Sequence, residues 1–170
     1  MNPDRPAEEP SGLRLRPETA EDEELLFELY ASTRQEELNL TGWDVPTRSA
    51  FLEMQFRAMR QGYRAMFPRG EFSIILEDDT PVGRAVVDRR SEEIHLVDII
   101  VLPSRRGHGI GKWFMRALCA EAKEQRKPVR LQALKNSRAV AFYQHLGFSI
   151  FQSGELYEHL EWRERSDPVA

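Results

Sequence analysis

The sequence predicts an α+β fold: a mixed, largely antiparallel central sheet of about seven strands, flanked by about four helices. Seven short segments are rich in aliphatic and β-branched residues, and four longer segments repeat apolar residues at helical spacing. The strands come first and are followed by a helix, a strand and a helix, with antiparallel pairs outside them. This order favours an α+β sheet over a doubly wound one.

The N-terminal third of the chain predicts one strand and two helices. Residues 13–16 alternate as a short strand, and Thr19 with Asp22 three residues later is typical of a helix start. Residues 33–46 are polar and predict a loop. A second helix is expected from residue 47 or 49 to about residue 67, and its apolar stripe should be mainly core.

From residue 71 onward the pattern changes to strands, with two helices between the later ones. Turns at 78–79 and 153–154 predict two hairpins. The fourth helix, capped by Asn136 or Ser137, should bury Phe142. We expect strands at 72–76, 82–87, 94–102, 129–134, 148–151 and 157–162.

Three glycines at alternate positions separate the strand at 94–102 from the third helix. Alternate glycines leave several backbone N–H groups bare at a helix N-terminus, where the helix dipole adds positive charge. Such a loop is typical of a phosphate or pyrophosphate site. The spacing fits neither the dinucleotide fingerprint nor the Walker A loop, because the third glycine comes one residue early and only three residues separate Gly107 from Gly111.

Two motifs resemble those of one enzyme superfamily. The first is Arg-x-x-Gly-x-Gly, from Arg106 to Gly111, directly after a strand that ends in Val-Leu-Pro. The second is Asn-x-x-Ala-x-x-x-Tyr-x-x-x-Gly-Phe, from Asn136 to Phe148. Together they are similar to the acyl-CoA loop and the second signature of the GNAT superfamily of N-acetyltransferases, over roughly residues 71–151. The resemblance implies a GNAT-like fold.

The resemblance also implies that acetyl-CoA is the acyl donor. The loop amides would hold the CoA pyrophosphate, and the pantetheine arm would lie along the fourth strand, where the N–H of Ile100 or Val101 would serve as the oxyanion donor. The side chains of Arg105 and Lys112 could add charge-assisted contacts, although a solvated turn fits Arg105 equally well. The expected cofactor-binding residues are Ile99, Ile100, Val101, Arg106, Gly107, His108, Gly109, Ile110, Gly111, Lys112 and Asn136.

A general base is needed because an alkylamine of pKa about 10 is almost fully protonated at neutral pH. Asp98 is the best-placed carboxylate, since it lies in an otherwise apolar strand where burial would raise its pKa. A structural carboxylate is the equally weighted alternative. His95 is on the same strand, but strand alternation puts it on the opposite face, and we favour a structural role for it.

Tyr143 is the residue that the resemblance implies as the general acid for the leaving thiolate; without the first motif, core packing would explain it. Asn136, seven residues earlier, should lie two helical turns away on the same face. Cys119 is expected to be buried in the middle of a helix. This favours direct attack in a ternary complex over an acetyl-cysteine intermediate.

The expected acceptor is a primary amine, either a small metabolite or a peptide N-terminus. The resemblance implies that the region between the first two strands forms the acceptor rim, so its aromatic residues Trp43, Phe56 and Tyr63 are candidate contacts. Tyr157 of the last hairpin is a fourth. Two alternatives stay open: a module that binds acyl-CoA without catalysing transfer, and a protein that binds nucleotide phosphates.

Length, charge and cysteine content limit the other possibilities. The chain has 170 residues, a formal net charge of −4 and one cysteine, which is typical of one domain in a reducing compartment. We expect a disordered tail at 1–12, a single N-acetyltransferase domain at 13–165 and a cytoplasmic location. No metal site is expected, and no nucleic-acid or membrane partner, since there is no basic stripe and no long apolar run. Homodimerisation stays open.

Overall fold

The computed structural model describes residues 12–164, and within that range it contains seven strands and four α-helices. Of the predicted tail only residue 12 is included, and residue 165 lies outside, so the predicted domain boundaries stay predictions. The strands are β1 (Leu13–Pro17), β2 (Glu71–Glu77), β3 (Thr80–Arg89), β4 (Ile94–Val101), β5 (Val129–Leu134), β6 (Ser149–Ser153) and β7 (Tyr157–Trp162), and the α-helices are α1 (Glu23–Asn39), α2 (Val45–Met66), α3 (Ile110–Gln125) and α4 (Arg138–His145).

The seven strands form one mixed sheet in the order β1-β2-β3-β4-β5-β7-β6. The β1–β2, β5–β7 and β6–β7 pairs are antiparallel, whereas β4 and β5 are parallel. A parallel pair needs a crossover connection, and α3 supplies it. The predicted α+β fold class is therefore confirmed.

The chain forms two compact units. The N-terminal unit comprises residues 12–86 and 98–108, and the C-terminal unit comprises residues 87–97 and 109–164. Within residues 12–164, no helix combines the length and the apolar character needed to cross a bilayer.

In the N-terminal unit, α1 and α2 are longer than predicted. The expected loop at 33–46 is wrong at both of its ends, which are helical. Thr33 is accommodated because its hydroxyl donates to the carbonyl oxygen three residues earlier at 2.7 Å, and Leu38 is only 7% exposed. Asp44 caps α2 by accepting a hydrogen bond from the N–H of Thr47 at 3.0 Å. The polar sequence therefore gave no indication of the end of α1 or of the start of α2.

The core of the N-terminal unit lies where the two helices meet the sheet. It is formed by Leu26, Tyr30, Phe56, Ile74 and Leu76. Two of these residues come from α1, one from α2 and two from β2, so the cluster fixes both helices against the same strand.

In the C-terminal unit, α3 buries the face that its apolar spacing indicates, with Ile110 1% and Phe114 4% exposed. Helix α4 is shorter, and it turns Tyr143 inward at 8% exposure. Phe142 is 37% exposed, so the prediction that it is core is wrong. Adjacent residues on a helix point about 100° apart, and only one of the two rings can occupy the buried face.

Candidate active site

The glycine-rich segment forms the turn from β4 into α3. Gly107 and Gly109 have φ angles of +79° and +82°, in the left-handed region that a residue with a Cβ adopts at a cost. A Cβ built on Gly107 would meet no atom within 4 Å, so the space around the turn is open. Gly109 is the N-cap of α3 and brings no side chain to cap the helix. No side chain at the N-cap therefore accepts a hydrogen bond from the first backbone N–H groups of α3.

The first turn of α3 carries those donors. The N–H of Trp113 donates to the carbonyl oxygen of Gly109 at 2.9 Å and closes the turn. The N–H groups of Ile110, Gly111 and Lys112 come before this bond and have no intrahelical acceptor. Three N–H groups at the positive end of a helix dipole suit an anion of the size of a diphosphate. The side chain of Ile110 itself is core, so only its backbone can take part.

The two consecutive arginines before the glycines have different partners. Arg105 forms an ion pair with Glu77. Arg106 instead donates from Nε to the carbonyl oxygen of Val101 at 3.0 Å and from Nη2 to Oγ of Ser32 at 3.2 Å. The ring Nδ1 of His108 lies 3.0 Å from the carbonyl oxygen of Arg106. The Arg105 guanidinium is thus paired with a carboxylate, whereas the Arg106 guanidinium contacts a carbonyl oxygen and a hydroxyl group, which are both neutral.

The end of β4 carries the strand residues predicted to contact the cofactor. Ile99, Ile100 and Val101 are half-buried. Gly83 of β3 approaches them so closely that a Cβ built there would lie 2.6 Å from the carbonyl oxygen of Ile100. Gly83 was not predicted from the sequence as a site residue, although a glycine inside an apolar strand is a signal of close backbone approach.

Asp98 is the central titratable group of the N-terminal unit. Burial raises its pKa to about 6, against the opposing effects of the Arg84 charge and of a hydrogen bond from the backbone of Ile99. Nη1 of Arg84 lies 3.7 Å from Oδ2 of Asp98. A carboxyl group with this pKa is ionised at neutral pH and is more basic than an exposed aspartate. It therefore has the ionisation that a general base needs.

His95 belongs to the C-terminal unit and has a different environment. Burial, followed by the positive charge of Arg90, lowers the pKa of His95. Nη2 of Arg90 lies 2.8 Å from Nδ1 of the ring, and since a guanidinium can only donate, this nitrogen is the acceptor. Among residues 12–164, no group of three or more His, Cys, Asp and Glu side chains is arranged to hold a metal ion.

Tyr143 and Asn136 do not share a helix. Tyr143 packs against Phe142 and Phe148, with ring centroids 5.2 and 5.6 Å apart. Asn136 precedes the N-cap, Ser137, and has a φ of +58°. The expectation that it lies on the same helical face as Tyr143 is therefore wrong. Asparagine tolerates the left-handed conformation better than most residues, which explains its use in this turn.

The four aromatic residues predicted to contact the acceptor lie in different surroundings. Trp43 is 41% exposed and meets the ring of Phe51 edge-on at 5.1 Å. Tyr63 is half-buried, and Tyr157, in the C-terminal unit, is 46% exposed. Phe56 is only 4% exposed and belongs to the core cluster, which makes it a packing residue and corrects its prediction as a substrate contact.

A groove between α1 and α2 has a volume of about 670 Å³. Its walls combine apolar residues, among them Phe27 and Leu52, with the carboxylates of Glu24 and Glu28. Pro103, just before the glycine turn, closes one side. The two glutamates were not singled out from the sequence, where acidic residues near a helix start have an ordinary explanation.

Comparison with known proteins identifies the class to which this fold and loop belong. Residues 26–148 match the model of the acetyltransferase (GNAT) family. This match spans well over half of the chain. The protein belongs to the GNAT acetyltransferase family, as the two sequence motifs predict. No curated protein sequence matches the chain.

Solved structures of low sequence identity share the fold over almost their full length. An acetyltransferase from Thermus thermophilus is 20% identical, with a TM-score of 0.67, and the match covers 91% of this chain and 99% of that one. The PaiA N-acetyltransferase from Thermoplasma acidophilum, in complex with coenzyme A, is 17% identical with a TM-score of 0.66, over 89% and 98% of the two chains. Ard1 from Thermoplasma volcanium is 22% identical with a TM-score of 0.58, over 89% and 97%.

Proposed function

We propose that this protein is an acetyl-CoA-dependent N-acetyltransferase that acts on a primary amine by direct attack in a ternary complex. The observation that carries the proposal is the glycine turn, whose left-handed residues lead into a helix start with three backbone donors and no side-chain cap. Membership of the GNAT family and the coenzyme A complex of the PaiA protein support it. When bound, acetyl-CoA supplies an acetyl group activated as a thioester.

The donor side of the site consists mainly of backbone. The N–H groups of residues 107–112 bind the diphosphate, with charge from Arg106 and Lys112. Asn136 contributes from the turn before α4. The half-buried backbone of Ile99–Val101 lies along the pantetheine arm, and the N–H of Ile100 or Val101 stabilises the oxyanion. Backbone donors suit this task because they are already fixed in place by the strand.

Two side chains move the protons in the proposed reaction. Asp98 accepts a proton from the acceptor ammonium, since its pKa of about 6 leaves it ionised and moderately basic at neutral pH. Tyr143 donates its phenolic proton to the leaving thiolate, whose basicity is comparable to that of a phenol, and the second proton lost by the attacking nitrogen restores the phenol. His95 is left out because burial and Arg90 both lower its pKa, and Arg90 occupies one of its ring nitrogens.

Direct transfer is favoured because the protein's cysteine is a poor nucleophile. Burial raises the pKa of Cys119 to about 11. At neutral pH its thiol is therefore almost entirely protonated, whereas the thiolate is the reactive form. An acetyl-cysteine intermediate is not part of the proposal.

The groove between α1 and α2 is our proposed acceptor site. Its carboxylates Glu24 and Glu28 attract an ammonium group, and its apolar wall accommodates a carbon chain or a peptide side chain. Trp43 and Tyr63 are further proposed contacts from the same unit, and Tyr157 is one from the C-terminal unit. The acceptor class remains as predicted, a small-molecule amine or a peptide N-terminus, and we propose a cytoplasmic location.

The test is acceptor-dependent release of free thiol from acetyl-CoA. A panel of small primary amines and short peptides is incubated with the protein and acetyl-CoA at pH 7 to 9. Thiol release that depends on one of these acceptors, with an acetylated product of the expected mass, supports the proposal. Saturable CoA binding with no thiol release at any pH would instead identify a non-catalytic acyl-CoA-binding module. Stabilisation by ATP or NAD but not by CoA would indicate a nucleotide-phosphate protein.

A further inference from the structure

Arg84, on β3, is a buried cation between two carboxylates. Its side chain is 4% exposed, its Nε lies 3.2 Å from Oε2 of Glu18, and its Nη1 lies 3.7 Å from Oδ2 of Asp98. Burying a guanidinium is costly unless anions offset the lost hydration. Glu18 and Asp98 are the two that do so here.

Two aromatic rings hold the guanidinium of Arg84 in place. Its Cζ atom lies 5.8 Å from the ring centroid of Tyr63 and 5.5 Å from that of Phe72. These distances are typical of cation–π contacts, which strengthen when water is excluded. Arg84 therefore meets Asp98 from a position that the surrounding rings restrict.

Glu18 does not neutralise Arg84 alone, because two further arginines share it. Arg60 and Arg64 of α2 donate to Oε1 of Glu18 at 3.2 and 2.9 Å. The Glu18 side chain is only 2% exposed, so one buried carboxylate serves three guanidinium groups. Arg60 has a further partner in the exposed carboxylate of Glu23, 4.0 Å away, and Asp98 is the second carboxylate next to Arg84.

We infer that Arg84 is the positioning residue for Asp98, and that Glu18 adjusts how strongly Arg84 acts on it. This inference rests on the proposed function, in which Asp98 is the general base. Arg84 holds the carboxylate in place and favours its ionised form, while Glu18 draws part of that charge away. Burial keeps Asp98 a stronger base than an exposed aspartate, and the pairing with Arg84 acts against burial to keep it ionised at neutral pH.

Within the N-terminal unit, the groups that act on Asp98 come from several elements. Arg84 faces it from β3, and the backbone of Ile99 donates to it within β4. Glu18, between β1 and α1, acts through Arg84. Behind Glu18 are the titratable and charged side chains of α2, which are Arg60, Tyr63 and Arg64, and Glu23 of α1 lies 4.0 Å from Arg60. None of these groups is a histidine, so any titration near neutral pH within this set is assigned to the Asp98 carboxyl group.

The direct test is a carbon-13 NMR titration of the Asp98 carboxyl group in the full-length protein without substrate. Arg84→Met keeps the side-chain volume but removes the charge, so the midpoint should rise by about 1 pH unit or more. Arg84→Lys keeps a charge and should shift the midpoint less. Glu18→Gln frees Arg84 from its other partner, so the midpoint should fall. A matched control, Arg57→Met on the exposed face of α2, should leave it unchanged.

A merely structural role for Arg84 and Glu18 would not move the Asp98 midpoint in opposite directions in the two variants. If Arg84→Met unfolds the protein, Arg84→Lys and Glu18→Gln still decide the matter, because their shifts should have opposite signs. An Asp98 midpoint that is unmoved in both folded variants, or that moves upward in Glu18→Gln, would overturn the inference.

A rate measurement separates this inference from the proposed function. With any acceptor found by thiol release, the acid limb of the kcat/KM profile should move with the NMR midpoint in each variant, to higher pH for Arg84→Lys and to lower pH for Glu18→Gln. NMR shifts in the expected directions with an unmoved acid limb would leave the charge coupling standing and remove Asp98 from the role of base.

Discussion

Arg106 binds the carbonyl oxygen of Val101 at the end of β4, with its Nε donating at 3.0 Å. The proposed pantetheine contact uses this same strand end. In the proposed complex a pantetheine arm bound at this strand end competes with Arg106 for the carbonyl oxygen, and the displaced guanidinium is then available to the diphosphate. The residue before it, Arg105, is held by an ion pair with Glu77 and has no comparable freedom.

The first prediction follows from this difference. Arg106→Ala should weaken CoA binding by about tenfold or more, because a charge-assisted contact to a phosphate is lost. Arg105→Ala should change it by less than about threefold, since the Arg105 guanidinium is already paired with Glu77. Isothermal titration calorimetry with CoA measures both. Equal losses in the two variants would contradict the assignment of Arg106 to the diphosphate.

The second prediction concerns the phenol of Tyr143. Tyr143→Phe should keep the ring packing against Phe142 and Phe148 and should leave CoA affinity nearly unchanged. Turnover should fall by about 100-fold or more, as is typical when a general acid is lost. The checks are kcat with the best amine found and calorimetric CoA binding. A variant that turns over at the wild-type rate would show that another group protonates the thiolate.

Much of the fold could be predicted because local pattern and tertiary structure agree. The strand from Val129 to Leu134 has the predicted bounds, and the buried face of α3 has the predicted apolar spacing. The errors lie where polar residues are helical, as in the part of α1 that follows Thr33. A polar run is compatible with helix or loop, and the burial of an apolar residue such as Leu38, which is a tertiary effect, decides between them.

Only the parts of the candidate site whose residues are close together in the sequence could be predicted. The glycine turn has a short, contiguous signal, and two of its three glycines are in the left-handed region. The cluster that surrounds Asp98 joins Glu18, Arg60 and Arg84, which lie far apart in the sequence. No spacing rule links them, and each alone has the ordinary explanation of a surface charge. The same holds for Asn136, whose helical spacing to Tyr143 disappears once α4 begins two residues later.

The third prediction is a loss of stability in acid that depends on Asp22. Its carboxylate accepts from Arg16 at 2.6 and 2.8 Å and from the backbone N–H of Thr19 at 2.8 Å. The Arg16 hydrogen bond, with further help from Thr19, lowers the pKa of Asp22 to about 2 although the group is buried. Since the folded-state value lies below the unfolded one, this stabilisation is complete above about pH 4 and is lost as the pH falls toward 2.

Asp22→Asn should therefore lower the free energy of unfolding by roughly 2 kcal/mol at pH 7, and by much less at pH 2.5. Urea unfolding at both pH values measures the difference. Asp79→Asn is the matched control, because Asp79 pairs with Arg14 at an exposed position and should cost less than about 1 kcal/mol. A cost for Asp22→Asn that is the same at both pH values would show that ionisation is not its source.

The fourth prediction compares two glycines. A Cβ at Gly83 would lie 2.6 Å from the carbonyl oxygen of Ile100, whereas one at Gly62, inside α2, would meet nothing within 4 Å. Gly83→Ala should thus force β3 away from the strand that carries the proposed oxyanion donor. We expect it to cost about 2 kcal/mol or more in unfolding free energy and to reduce turnover.

Gly62→Ala should raise stability by about 1 kcal/mol, since alanine loses less backbone entropy in a helix, and should leave turnover unchanged. Urea unfolding and thiol release test the pair, and a Gly83→Ala variant that folds and reacts like wild type would show that the close approach to Ile100 has no part in shaping the site.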